Sequence, residues 1–156
     1  MYRIRQWSVN HSRSLELIYR GFEPLLVKLH PLFKRIGYGR LETPVRRVEK
    51  AVKRLMFDCQ MCGRCALSVT GMSCPMNCPK SIRNGPCGGV RHDGMCEIKP
   101  EMRCVWVDAW RGSQQMRDPT AIQQVQIPLD HLLKDSSSWL RVVRETFAAE
   151  NKKTAQ

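Results

Sequence analysis

Apolar residues recur at helical spacing in the first quarter of the chain. Over residues 12–37 this repeat predicts a helix in two pieces, because Pro24 and Pro31 bend or end a helix. The apolar stripe of the region consists of Leu15, Leu17, Ile18, Phe22, Leu25 and Leu26. The run Gly37-Tyr38-Gly39 then predicts an interruption before the next element.

A clearer helix is predicted from Thr43 to residue 57. Thr43 has the hydroxyl that an N-cap residue uses, and Pro44 suits the first helical turn. Glu49 and Lys53 lie one turn apart and are expected to pair. One face of this helix is apolar and is formed by Val45, Val48, Val52 and Leu55. The other faces are basic and carry Arg46, Arg47, Lys50 and Arg54.

The C-terminal third of the chain has three segments of different pattern. Residues 105–110 are apolar and aromatic and are expected to pack against the metal module or a partner surface. Residues 118–130 contain two prolines and predict an irregular connector. Residues 136–138 are all serine and predict the N-cap of a last helix, which is followed by a polar tail from Asn151. The apolar face of this helix is formed by Trp139, Leu140, Val143 and Phe147.

All eight cysteines of the chain fall between Cys59 and Cys104. Residues 58–104 also hold ten glycines and prolines, so little regular structure is expected there. Cysteines used for core packing would scatter among other apolar residues, so this segregation indicates a segment that wraps around metal. Because these loops lack a core of their own, removal of metal is expected to unfold them and to leave the flanking helices folded.

These patterns predict a small, irregular, metal-dominated α fold in three regions. Residues 1–57 form a basic helical N-terminal region, and residues 58–104 form a cysteine-rich loop module with two metal sites. Residues 105–156 form a C-terminal connector and helix that docks a partner. No nucleotide-binding glycine loop or catalytic constellation is present, so the chain is not expected to catalyse a reaction alone.

The charge of the chain is strongly positive and unevenly distributed. The formal net charge is +12, and residues 1–57 contribute +9 of it, with 13 Lys and Arg against 4 Asp and Glu. Part of this excess can compensate negatively charged metal–thiolate sites. Basic and aromatic residues are not interleaved, so no nucleic-acid partner is expected. No apolar run approaches the roughly 20 residues of a membrane span, and no secretory signal is evident, so a cytoplasmic protein with reduced thiols is predicted.

The spacing of the cysteines bears on which metal they bind. The run C-x2-C-x2-C at Cys59, Cys62 and Cys65 brings three thiolates around one site, as four-iron clusters require, and Cys74 and Cys78 each precede proline. Two four-thiolate zinc sites would also use all eight cysteines, so zinc is the alternative. The three-residue steps between Cys59, Cys62 and Cys65 favour an iron–sulfur cluster. The residues alone leave both iron–sulfur clusters and zinc sites open.

The segment from Cys62 to Gly89, which reads CGxCxLxxTGxxCPMxCPKxxRNGPCGG, resembles the C-terminal domain family of methylenetetrahydrofolate reductase, also known as the MetV-type subunit. The likeness extends through Cys104-Val105-Trp106 and more weakly to residue 140. The N-terminal helices match no motif of the family.

The resemblance implies an iron–sulfur electron-transfer subunit of an oxidoreductase in one-carbon, folate metabolism. Such subunits pair with a flavin-containing barrel subunit of the MetF type, which interconverts 5,10-methylenetetrahydrofolate and 5-methyltetrahydrofolate. FMN or FAD is then expected only in that partner, and a further electron donor such as ferredoxin is implied.

Carried over by position, the resemblance implies two [4Fe–4S] clusters held by the eight cysteines. The implied ligands are Cys59, Cys62, Cys65, Cys74, Cys78, Cys87, Cys96 and Cys104. Cys59, Cys62 and Cys65 are expected to share one cluster, and Cys87 and Cys96 to belong to the other, while the rest of the partition stays open. The alternative function is a zinc-binding structural or regulatory subunit of the same reductase without a redox role.

Overall fold

The computed structural model describes residues 2–154, and over that range the chain is helical and has no strand. This architecture confirms the predicted α class. Within the described range there are six α-helices: α1 (Tyr2–Asn10), α2 (Ser12–Lys28), α3 (His30–Ile36), α4 (Tyr38–Phe57), α5 (Val105–Ser113) and α6 (Ser138–Thr154). Short 3-10 turns lie at Pro75–Asn77, Pro119–Gln123 and His131–Leu133.

The predicted two-piece helix is confirmed as α2 and α3, which meet at Leu29. Pro31 lies in the first turn of α3, where its missing N–H costs nothing, whereas Pro24 lies inside α2. Gly37 separates α3 from α4 with a positive φ of 95°. Because that single residue turns the chain, α4 restarts at once at Tyr38, and the predicted start at Thr43 is wrong.

The buried face of α4 combines Phe57 with an ion pair, which the sequence pattern did not predict. Glu49 is 1% exposed and Lys53 is 4% exposed, and the two form the expected pair at 2.7 Å. The apolar residues Val48, Val52 and Leu55, predicted to share a face, are instead exposed. The helix therefore turns its ion pair towards α6 and part of its hydrophobic stripe towards solvent.

Two helices were not predicted, and they pack together. α1 precedes the apolar stripe of α2, and α5 covers the aromatic segment that was predicted only to pack. Asp108 of α5 is 1% exposed; Gln6 of α1 and Arg111 donate hydrogen bonds to its carboxylate. Ser12, at the start of α2, donates to the carbonyl oxygen of Gly112 at 2.8 Å. Small and polar side chains thus hold the N-terminal helices on α5.

The last helix begins as predicted. The hydroxyl of Ser137 accepts a hydrogen bond from the backbone N–H of Leu140, which is the geometry of an N-cap. Leu140 and Val143 are fully buried on one face. The helix continues to Thr154, through the start of the segment predicted to be a polar tail. In the part of the chain that the structure describes, no helix combines the length and apolar character that a membrane crossing requires.

The cysteine-rich segment is irregular, as predicted, but its two halves differ in burial. Most residues between 61 and 75 are buried, and Leu67, Met72 and Cys74 pack with Phe57 and Met116 in one core cluster. No residue between 76 and 103 is buried. The expectation that these loops lack a core is therefore wrong for the first half, because that half packs against the ends of α4 and α5.

A close approach of two glycines joins the first half to α5. A Cβ on Gly112 would overlap the carbonyl of Gly71, and a Cβ on Gly71 would overlap the backbone of Ser113. Gly71 also has a φ of 58°, which side chains disfavour. The backbone at residue 71 can therefore lie this close to α5 only because both Gly71 and Gly112 lack a side chain.

Gly112→Ala is expected to destabilise the protein by about 1–3 kcal/mol, because the methyl group forces two backbones apart. Gly21 is the matched control, since it lies in α2 with no atom near its missing Cβ. Gly21→Ala is expected to stabilise by about 0.5–1 kcal/mol through helix propensity. Urea unfolding of both variants measures the two changes in free energy of unfolding. Equal changes of the same sign would contradict the close contact between Gly71 and Gly112.

Candidate metal centre

The end of α4 delivers the chain into the first cysteines through a series of tight turns. Asp58 ends the helix in the left-handed conformation, with a φ of 53°. Met61 and Gly63 also have positive φ, of 48° and 77°. Each such residue reverses the local direction of the backbone, so Cys59, Cys62 and Cys65 curl around a common centre instead of extending away from the helix.

Four thiols line one small cavity beneath this turn. Cys59, Cys62, Cys65 and Cys74 all contribute to its wall, and its volume is about 20 Å³. Cys74 is buried, Cys59 and Cys62 are half-buried, and Cys65 is exposed. The three cysteines that were expected to share one cluster therefore line the same cavity as Cys74, which the sequence left unassigned. Their binding of one cluster stays a prediction.

The thiols of Cys59 and Cys74 interact directly. A hydrogen bond from the Cys74 thiol lowers the pKa of Cys59 to about 6, against the opposing effect of burial. The backbone N–H of Met61 also donates to Cys59 Sγ, at 3.3 Å. The same thiol–thiol hydrogen bond, together with burial, raises the pKa of Cys74. Cys59 is therefore held ready as a thiolate, the form that binds metal.

Two cations lie beside these thiols, and both favour negative charge in the cavity. Lys53 lines the cavity wall, and burial opposes its charge while Cys65 and Glu49 raise its pKa. Arg83 donates to Cys62 Sγ at 3.6 Å and to the carbonyl oxygen of Arg64 at 3.1 Å. The sequence pattern did not assign Lys53 to the site, although the Glu49–Lys53 pair, just before Cys59, was visible in it.

Of the other four cysteines, Cys78, Cys87 and Cys96 lie in the exposed half of the segment, and Cys104 is buried beside α5. Isolated antiparallel bridges join Val90 to Cys96 and Met95 to Arg103. The backbone N–H of Cys104 donates to Gly94 at 2.9 Å, which brings Cys96 and Cys104 onto one folded loop. Lys80 interacts with Glu97 and with the thiol of Cys87, and both raise its pKa. Cys78 follows the 3-10 turn at Pro75–Asn77 and does not line the first cavity.

The donor set suits a four-thiolate group, although the thiols are not at coordination geometry. Across residues 2–154, no three Cys, His, Asp or Glu side chains converge closely enough to hold a metal ion. A cavity of about 20 Å³ accommodates little more than one water molecule or ion. Binding of a zinc ion or of a four-iron cluster by these thiols therefore requires a change in their positions.

Metal removal is expected to affect the two halves of the segment differently. In chelated protein, trypsin should cleave after Lys80 and Arg91 much faster than after Arg64, because no residue between 76 and 103 is buried whereas most residues between 61 and 75 are. The measurement is limited proteolysis with mass spectrometry, and the untreated protein is the control. Equal protection of both halves after chelation would contradict a structural role for metal in the second half.

Comparison with known proteins identifies one family. The family model described as "Methylene-tetrahydrofolate reductase C terminal" matches residues 38–132, which is more than half of the chain. No curated protein matches the chain. No solved structure matches it either. The matched range runs from the start of α4 through all eight cysteines and α5 to the 3-10 turn at His131–Leu133. The chain therefore belongs to the methylenetetrahydrofolate reductase C-terminal family.

Proposed function

We propose that this protein is the metal-bearing electron-transfer subunit of a methylenetetrahydrofolate reductase complex. The observation that carries the proposal is the cavity lined by Cys59, Cys62, Cys65 and Cys74, beside Lys53 and Arg83, in a chain of this family. Four thiolates around one centre are the ligand set of a four-iron cluster, and nearby cations stabilise its negative charge.

We propose two ligand sets, the first from the shared cavity and the second by elimination. Cys59, Cys62, Cys65 and Cys74 would hold the first cluster. The remaining cysteines, Cys78, Cys87, Cys96 and Cys104, would hold the second. When bound, two [4Fe–4S] clusters would supply stepwise one-electron transfer between an external donor such as ferredoxin and a flavin.

The catalytic chemistry would belong to a partner. The family name includes methylenetetrahydrofolate reductase. The partner that we propose would be a flavin-containing barrel subunit that interconverts 5,10-methylenetetrahydrofolate and 5-methyltetrahydrofolate. This chain would contribute no catalytic residue. Its own side chains would bind metal, hold Cys59 as a thiolate and present the site to the partner.

The small size of the first cavity favours a second candidate. With room for little more than one ion, the four thiols are closer to the requirements of tetrahedral zinc than to those of a cluster. In that case the chain would stabilise or regulate the same reductase without carrying electrons. Zinc would leave the protein colourless and redox-silent.

Electron delivery to the partner distinguishes the two candidates. The chain is purified anaerobically, reduced with dithionite, freed of excess reductant and mixed with the oxidised flavoprotein subunit. The electron-transfer proposal predicts bleaching of the flavin absorbance in proportion to the reduced chain added. An unchanged flavin spectrum, together with stoichiometric zinc, would establish the structural candidate instead.

A further inference from the structure

A concave apolar groove lies on the surface where α2, α4 and α6 come together. Its volume is about 520 Å³. All three helices contribute apolar side chains to it, among them Leu15, Ile18, Phe22, Val52, Met56 and Val142. We call this the α2–α4 groove.

Large apolar side chains on the two flanking helices are strongly exposed. On α2, Leu17, Ile18 and Leu25 are 54–68% exposed, and on α4, Val48, Val52 and Leu55 are 43–58% exposed. An apolar surface of this kind, continuous with a groove, is typical of a protein-binding site and is unusual on a chain that functions alone. A protein-binding site would also explain why these apolar residues of α2 and α4 do not pack into the core.

The charges around the groove are mainly basic. Four basic and two acidic side chains line it, namely Lys53, Arg64, Arg83 and Arg141 against Glu23 and Glu145. Glu145 already pairs with Arg64, at 3.3 Å. The exposed charged residues of the two flanking helices, α2 and α4, are all basic, namely Arg13, Arg20, Lys28, Arg40, Arg47 and Arg54. A complementary surface is therefore apolar at its centre and carries acidic side chains at its edges.

The floor of the groove contains hydrogen-bond donors that lack an acceptor. Trp139, Arg64 and Arg83 all line the groove. In each of them one buried side-chain nitrogen, the Nε1 of Trp139 and the Nε of the two arginines, has no partner among the described residues. Buried donors of this kind are costly without an acceptor, so an occupant that brings carboxylate or carbonyl oxygens is favoured.

We propose that the α2–α4 groove binds an amphipathic helix of the flavin-bearing subunit, with an apolar ridge between flanking Asp and Glu side chains. The proposal deepens the proposed function and rests on it. A concave groove fits the ridge of a helix better than it fits a flat membrane surface. A second copy of this chain would oppose basic helices to basic helices.

The position of Cys65 gives this docking site a functional consequence. Cys65 is exposed, and it lines both the α2–α4 groove and the cavity of the first four cysteines. A helix seated in the groove therefore covers the solvent side of the first metal site. Docking would bring the partner next to that site and exclude water from it.

The test uses the full chain co-expressed with the flavin-bearing reductase subunit, and it measures the Kd of the purified pair. Ile18→Glu and Val52→Glu each place a carboxylate on the groove, where it meets an apolar and acidic ridge. Each is expected to weaken binding about 100-fold. Leu132→Glu is the matched control, because Leu132 is 92% exposed and lies outside the groove. It should change the Kd less than about twofold.

Other outcomes overturn the proposal. It fails if the wild-type chain does not bind the flavoprotein, or if Ile18→Glu and Val52→Glu bind as tightly as Leu132→Glu. It also fails if the two groove variants abolish only self-association in solution or only binding to vesicles of anionic lipid. Rising salt should weaken the wild-type complex, because the charges around the groove are mainly basic.

Metal analysis on the same samples separates this proposal from the proposed function. Neither Ile18 nor Val52 is a candidate ligand, so metal content should be equal in all variants. A groove-dependent complex that carries zinc and no iron would leave the docking site intact and overturn the electron-transfer role. Conversely, iron-loaded variants that still reduce the flavin at wild-type affinity would overturn the docking site alone.

Discussion

Lys53→Met is expected to lower the free energy of unfolding by about 3–5 kcal/mol, because it leaves the buried carboxylate of Glu49 without its charge partner. Glu49 Oε1 accepts from Lys53 Nζ at 2.7 Å, and Oε2 accepts from the hydroxyl of Ser137 at 2.6 Å. Lys53 also donates to the hydroxyl of Ser138, at 2.7 Å. The pair thus joins α4 to the N-terminus of α6, and urea unfolding at neutral pH measures its loss.

The control for this variant is a lysine–carboxylate ion pair on the surface of the protein. Lys50 on α4 pairs with Asp135 at 3.2 Å, but their side chains are 44% and 51% exposed. Lys50→Met should therefore change the free energy of unfolding by no more than about 1 kcal/mol. Equal effects of Lys50→Met and Lys53→Met would show that the Glu49–Lys53 pair is solvated.

The effect of Lys53→Met should depend on pH with a definite sign. Burial would raise the pKa of Glu49, but the charge of Lys53 and the hydrogen bonds from Lys53, Ser137 and Ser138 lower it below the ordinary value. The pair therefore stabilises the wild type above the ordinary carboxylate pKa of roughly 4.3, and this contribution is lost as pH falls through the lower, folded-state pKa. In Lys53→Met the Glu49 carboxylate can take up a proton at higher pH than in the wild type. The difference in free energy of unfolding between the wild type and Lys53→Met should therefore become smaller as pH falls.

Cys74→Ser is expected to remove one of the two metal sites and to leave the other. Cys74 is the buried member of the first group and interacts with Cys59, so its loss opens that site to three ligands. With four-iron clusters, about half of the iron and half of the sulfide should be lost. With zinc, one of two ions should be lost. Inductively coupled plasma analysis of purified variants gives the result directly.

Cys78→Ser is the matched control, since Cys78 also precedes proline but does not line the first cavity. It should remove the other half of the metal, and the double variant should retain none. If Cys74→Ser and Cys78→Ser both destroyed the same site, shown by unchanged metal loss in the double variant, the proposed partition would be wrong.

Of the six helices in the described residues, α2, α3 and α6 were predictable from sequence, whereas α1, α5 and the start and orientation of α4 were not. Apolar spacing and prolines located α2 and α3, and the serine cap located α6, because those signals act within a few helical turns. The buried face of α4 was not predicted because the apolar residues that form the hydrophobic pattern of this helix, Val48, Val52 and Leu55, are exposed in the folded chain. Glu49 and Lys53 are buried only because the serines at the start of α6 supply hydrogen bonds to them.

The eight cysteines were visible in the sequence as a set, but their grouping in space was not. Cys74 reaches the first three through a turn closed by Thr70, whose hydroxyl bonds the carbonyls of Ala66 and Ser73 at 2.8 and 2.7 Å. The contact between Gly71 and Gly112 then fixes that turn against α5. Such long-range packing leaves no local pattern, so spacing alone could not choose between Cys74 and Cys78.

Metal content tests the account most directly. The protein is purified anaerobically, its iron, sulfide and zinc are measured, and its absorption spectrum is taken before and after dithionite. The electron-transfer account predicts about eight iron and eight sulfide per chain, with a broad visible band that bleaches on reduction. About two zinc, no sulfide and no visible band would contradict it and would make this chain a structural subunit.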